Sequence, residues 1–146
     1  MRYCYENLRA KLQTEEGRLF YENRKRLYEE RYAGRPVKHL DYSKYKLIYK
    51  TGNRTEYDAC FLDRMLRVPF LLILALGDDG YLEELENVIA SICDEYTWVI
   101  SAHAYAGNEG REEEFDYTRV DLFSPVQAMY LAEVDRVLGC KLSVSA

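Results

Sequence analysis

Cationic excess is missing from this chain: 20 Lys and Arg stand against 25 Asp and Glu in 146 residues, a formal net charge of -5. General nucleic-acid binding rests on clustered cations that neutralise phosphates, so no nucleic-acid partner is expected. An acidic glycan is still open as a ligand, because a few local Arg residues bind carboxylates even in an acidic chain. Long apolar runs are missing too. Residues 68–76 are apolar, but a membrane span needs about 20 such residues, and a buried helix explains the run better. The opening MRYCYENLRAKL is charged throughout and has no apolar signal core, so a cytoplasmic location without membrane contact is expected. The four cysteines, Cys4, Cys60, Cys93 and Cys140, are far apart, form no CxxC pair and have no His at metal spacing. No zinc or other metal site and no cofactor is expected, and reduced buried thiols are the default.

Hydrophobic residues make up 48% of the chain, an ordinary share for a globular protein, and 14 residues are Tyr. The length suits one domain, residues 1–146, with one core. A tyrosine buries its ring while its hydroxyl stays wet, which suits clefts, interfaces and core rims alike.

Helical periodicity dominates. In residues 19–32, Leu19, Phe20, Leu27 and Tyr28 form an apolar stripe on an otherwise charged helix that Gly34 and Pro36 stop. Asp41 is placed to cap a short helix carrying Tyr42, Tyr45 and Tyr49 on one side, with a strand as the competing reading. Residues 54–76 put Tyr57, Phe61, Met65, Val68 and Leu72 on one stripe; Pro69 inside it predicts a kink or two helices meeting. Gly77-Asp78-Asp79-Gly80 is a tight connection, and residues 81–96 repeat Leu82, Leu85, Val88, Ile89, Ile92 and Cys93 at helical spacing. An antiparallel helical hairpin is expected there. Residues 97–120 break the pattern with Trp98, His103, Tyr105 and the acidic run Glu112-Glu113-Glu114, and a long irregular segment is usually functional or mobile. A last helix over 122–138 is capped by Asp121 or Ser124, tolerates Pro125 in its first turn and ends at Gly139. The fold class is therefore all-α, built from antiparallel helical hairpins.

One constellation is more specific. The TGNR-x-x-Y element ending at Tyr57 precedes the Arg-bearing helix; GDDGYL follows, then ICDEYTW and a His, and finally VDLFSPVQAMYLAE. In order and spacing, over residues 49–138 or about two thirds of the chain, this resembles heparinase II/III-like proteins. The resemblance implies a partial α/α toroid, the N-terminal helical portion of a lyase that cleaves uronic-acid-containing polysaccharides by β-elimination. That chemistry needs a neutralised carboxylate, a base and an acid on the leaving oxygen. The family's Asn-His element and its Tyr acid/base have no counterpart in these 146 residues. The resemblance thus implies a fragment or degenerate relative, inactive by itself, that binds an acidic polysaccharide or oligosaccharide.

Four substrate-binding candidates follow. Trp98 offers an indole face to sugar C–H groups, and His103 a hydrogen bond, against the blander roles of plugging the hairpin and capping a helix. Arg64, on one helix with Tyr57, is the best uronate partner; Arg54 and Arg67 are weaker ones. Pairing of these arginines with Asp63 or the Glu83-Glu84-Glu86 group is the competing reading. Asp121 reads as a cap and His39 as an exposed bystander. The alternatives are an α/α-toroid glycoside hydrolase relative, which needs paired carboxylates, and a helical protein-interaction module. Stripes including Leu72, Leu76, Leu85, Ile89, Met129 and Leu138 exceed what one small core needs, so a homo-oligomer, most simply a two-fold dimer, is expected unless residues 8–28 fold back over them.

Overall fold

A computed structural model describes residues 5–53, 55–104 and 120–143, with the backbone alone at Tyr49. Cys4, Arg54, Tyr105 and the acidic run Glu112-Glu113-Glu114, all singled out above, lie outside the described residues. Among the described residues the fold is all helical, with no strand. Seven α-helices run in the order α1 (Tyr5–Leu12), α2 (Glu15–Tyr32), α3 (Ile48–Thr51), α4 (Glu56–Gly77), α5 (Leu82–Cys93), α6 (Ser101–Ala104) and α7 (Phe123–Leu138). Two 3-10 turns, Tyr42–Leu47 and Asp79–Tyr81, lead into α3 and α5.

The longest of these helices, α4, is the axis of the structure, and α1, α2, α5 and α7 all pack on it. It runs unbroken through Pro69, so the expected meeting of two helices does not occur there. The proline lacks only its own amide donor, and tertiary packing on the flanking turns offsets that loss. Asp78 accepts the Gly80 amide at 2.9 Å and turns the chain back. The absence of a side chain at Gly77 matters here: a Cβ would sit 2.4 Å from the Tyr21 ring. Gly34, with φ +67, ends the α2 segment in the left-handed region.

Two apolar clusters share α4. The first joins Val68, Leu71 and Leu74 of α4 to Leu85, Val88 and Ile92 of α5, Val134 and Leu138 of α7, and Tyr28 and Tyr32 of α2. The second joins Tyr57, Phe61 and Met65 of α4 to Leu40, Tyr45, Val99 and Ile100.

Several expectations need correction. The inward face of α2 is Tyr28 and Tyr32, with Tyr21 half-buried, whereas Leu19 is 74% and Phe20 43% exposed. The helix packs inward through its tyrosines: the Tyr28 hydroxyl donates to Glu84 and the Tyr21 hydroxyl to the Leu74 carbonyl. Of the cysteines, Cys60 is buried but Cys93 and Cys140 are exposed; Cys93 lies in the last turn of α5, past the packed stripe. Leu76, Leu85, Ile89 and Leu138 are buried within the chain itself, and only Met129 of the proposed open face is exposed. α1 and α2 pack on α4, the fold-back that was weighed against a dimer. Among the described residues no helix is long and apolar enough to cross a membrane.

Candidate functional site

The cleft lies where the 34–41 connection crosses α4 and α5. Its cavity volume is about 510 Å³, within the range of roughly 300–1,000 Å³ common for small-molecule sites. Tyr57 and Arg64 stand on α4, Asn87 and Ser91 on α5, and Asp94, Glu95 and Tyr96 just beyond it; Lys38, His39 and Tyr42 close the other side.

Helical spacing explains the floor. Tyr57 and Arg64, seven residues apart, fall on one face of α4. Arg64 crosses to α5, donating from Nη1 to the Ser91 carbonyl at 2.9 Å, while Nη2 lies against the Glu95 carboxylate as a charge contact more than a directed hydrogen bond. Both side chains are nearly closed off, at 3% and 6% exposure. The Tyr57 hydroxyl donates to the other oxygen of Glu95 at 3.3 Å. Burial, and next the Tyr42 phenol nearby, push Tyr57 well above the usual phenol range, although Arg64 pulls the other way. Burial lowers Arg64 from its ordinary value without making it a base at neutral pH.

Aromatic rings form one wall. Tyr42 stacks on Tyr45 at 5.2 Å between centroids and meets Tyr96 edge-on at 5.2 Å. Tyr45 meets Tyr57 at 4.9 Å, and its hydroxyl donates to the Val99 carbonyl at 2.7 Å. Tyr96 is 72% exposed and Tyr42 38%, so both rings keep part of their surface towards solvent at the cleft.

Of the four predicted binding residues, the structure brings Tyr57 and Arg64 together in this cleft. Trp98 and His103 do not line it. Trp98 is half-buried against the first cluster, and its indole N–H donates to the Ile92 carbonyl at 3.0 Å, near the end of α5. His103 stacks on Phe123 and places Nδ1 3.0 Å from Asp121. Asp121 also accepts the amides of Ile100, Phe123 and Ser124 at 3.1, 2.8 and 2.9 Å. Burial raises the Asp121 carboxyl, but those backbone donors outweigh it and hold it below the usual carboxylate range. Asp121 therefore caps α7 and ties it to α6.

Arg67 has the pairing that was foreseen for the arginine group. It reaches Asp63 at 3.1 Å, Glu84 at 3.5 Å and the Arg35 carbonyl at 3.0 Å, with its guanidinium 4.6 Å from the Tyr32 ring centre. Arg64 uses neither Asp63 nor the 83–86 group. His39 is exposed, as expected, and lines the cleft; Asn87, Tyr42, Tyr96 and Glu95, which also line it, were not among the predicted residues. The ICDEYTW element did contain Glu95 and Tyr96; its position directly after a helix facing the Arg64 helix was the signal that could have found them. Among the described residues no cluster of His, Cys, Asp and Glu could hold a metal ion.

Compared with known proteins, the chain matches no protein family, no curated protein and no solved structure.

Proposed function

We propose that this chain is a carbohydrate-binding helical domain, a relative of the helical portion of heparinase II/III-like lyases, that holds a saccharide in the Tyr42–Tyr57–Tyr96 cleft without cleaving it by itself. In this reading α4, the Asp78–Gly80 turn and α5 are one antiparallel hairpin of a partial α/α toroid. The observation that carries it is the pairing of partly exposed tyrosine rings with a hydrogen-bonding floor in a cavity of about 510 Å³. Sugar rings present C–H faces that pack on aromatic planes, and equatorial hydroxyls that need both donors and acceptors. Asn87, Ser91, Asp94 and His39 supply both kinds within one cleft. Cleavage by β-elimination needs a base facing the substrate. Here Tyr57 is held protonated with its hydroxyl turned to Glu95, and Glu95 is occupied by Arg64.

Calorimetric titration with tetrasaccharides of mannuronate, galacturonate and heparosan, each also in carboxyl-reduced form, tests this. At least one series should bind, and the Tyr42→Ala and Tyr96→Ala variants should each weaken it roughly tenfold, the loss of one aromatic stacking surface. No unsaturated-uronate absorbance should develop. Absence of binding across the panel, or binding indifferent to both tyrosines, would sink the reading. Binding lost instead in a folded Trp98→Ala or His103→Ala variant would move the site to residues 97–104.

A further inference from the structure

Every cation of the cleft is already engaged or at its rim. Arg64 has one nitrogen on the Ser91 carbonyl and the other on Glu95, and is 3% exposed. An incoming uronate could reach it only by displacing Glu95, which also accepts the Tyr57 hydroxyl. Asp94, exposed on the same wall, adds a second negative charge beside the floor. Lys38 stands at the rim, 66% exposed and 3.9 Å from Glu56. Of the Lys, Arg, Asp and Glu residues that line it, two are cations (Lys38, Arg64) and two anions (Asp94, Glu95), so these formal charges cancel. A carboxylate therefore meets no net attraction and no open bidentate donor.

We propose that Glu95 is the specificity-determining residue of this cleft: by occupying Arg64 it makes the site select uncharged, hydroxyl-bearing sugar units and reject uronates. The proposal rests on the saccharide reading above and narrows its substrate class. An uncharged sugar needs no counter-cation. Its hydroxyls can donate to Asp94 and accept from Asn87, while its ring lies on Tyr42 or Tyr96.

The test is a matched pair: each tetrasaccharide above against its own carboxyl-reduced counterpart, which differ only in replacing each carboxylate by a hydroxymethyl group. The wild-type chain should bind the reduced form roughly tenfold more tightly, the scale of one unfavourable charged contact. Glu95→Gln keeps an acceptor for Tyr57 but drops the charge, opening Arg64; the preference should vanish or reverse. Asp94→Asn alters an exposed side chain and should narrow the preference roughly threefold. It keeps the proposal testable if Glu95→Gln does not fold. Uronates that bind wild type as tightly as their reduced forms would overturn the proposal and leave the saccharide reading standing. So would an unchanged preference in folded Glu95→Gln, or, if that variant does not fold, in Asp94→Asn. Binding of neither form would remove both.

Discussion

The two halves of α4 are held by different physics. Around Val68, Leu71 and Leu74 the contacts are largely aliphatic, with Leu85, Val88, Ile92 and Leu138 buried against them. Around Tyr57, Phe61 and Met65 the apolar contacts are threaded by buried polar ties. Asp58, fully buried, accepts the Ser101 amide at 2.9 Å and the Ser101 hydroxyl at 2.6 Å. Tyr45 holds the Val99 carbonyl, and Arg64 holds Ser91 and Glu95. Non-directional packing predominates in the first half, with Arg67 and Tyr28 tied to Glu84 at its edge, whereas directed bonds place residues 97–104 and the cleft floor. A binding site needs fixed donors and acceptors, and the cleft lies at the polar half.

Substitutions that sharpen this contrast start in the aliphatic half. Leu85→Ala should cost about 3–4 kcal/mol, the loss of a fully buried leucine plus the cavity left behind. Urea unfolding reads the cost, and the cleft's affinity should be unchanged while the chain is folded. A cost under about 1 kcal/mol would mean the site collapses freely and the first cluster is loosely packed. In the polar half, Asp58→Ala should cost about 3 kcal/mol, since it strands two buried donors of Ser101. Its signature differs: hydrogen exchange should accelerate at residues 97–104 before it does in α5. Uniform acceleration would show that the two halves are one cooperative unit.

The aliphatic half was legible in the sequence because helical periodicity reports burial directly. Leu85, Val88, Ile89 and Ile92 recur at the helical period, and all four are buried. The α2 stripe was half right: Tyr28, which belongs to it, is inside, but Leu19 and Phe20 are out, and the buried Tyr32 lies outside the stripe. A tyrosine can bury its ring and keep a polar partner, as Tyr28 does by donating to Glu84. The site was half legible. Tyr57 and Arg64 share a helix face, and spacing shows that. The helix expected over 81–96 ends at Cys93, so Glu95 and Tyr96 lie beyond it, and their meeting with His39 depends on how the 34–41 connection and the end of α5 pack on α4. Asp121 was readable as a cap, but its pairing with His103 depends on how α6 and α7 pack.

Acid should separate the halves further. The Asp121 carboxyl is held below its ordinary value, so its stabilisation is fully present above about pH 4 and is lost as pH falls through the lower folded value. The junction of α6 and α7 should therefore loosen in acid before the aliphatic cluster does, visible as early loss of His103 and Phe123 resonance dispersion. Asp121→Asn should cost about 2 kcal/mol at neutral pH and remove that acid limb. An acid transition unchanged by the substitution would assign it to other carboxylates.

Alkali acts with the opposite sign. Tyr57 is raised by burial, so its contribution is whole below the ordinary phenol value of about 10 and is lost as pH rises through the folded value. Tyr28 is raised for the same reason and by its bond to Glu84, and burial pushes Tyr21 up to about 12. Tyr57→Phe should cost about 1 kcal/mol, the net worth of one hydrogen bond, and soften the alkaline transition without abolishing it. An unaltered alkaline midpoint would place the sensitivity in α2 and the aliphatic half.

The smallest effect decides whether burial or pattern governs α2. Leu19 occupies a position that periodicity assigns to the core, yet it is 74% exposed, whereas Tyr28 is 4% exposed. Replacing an exposed leucine removes little apolar area from contact, and glutamine has a similar helix propensity. Leu19→Gln should therefore shift stability by no more than about 0.5 kcal/mol. Tyr28→Ala should cost several times more, because it empties a packed ring position between α2, Phe70 and Tyr81 and removes the hydroxyl that donates to Glu84. Equal costs would mean that α2 turns its leucine face inward in solution, and a larger cost at Leu19 would mean that this face is covered by a second copy of the chain. Light scattering on Leu19→Gln separates those cases: a mass that falls relative to wild type points to a lost interface, and an unchanged monomer mass to internal packing.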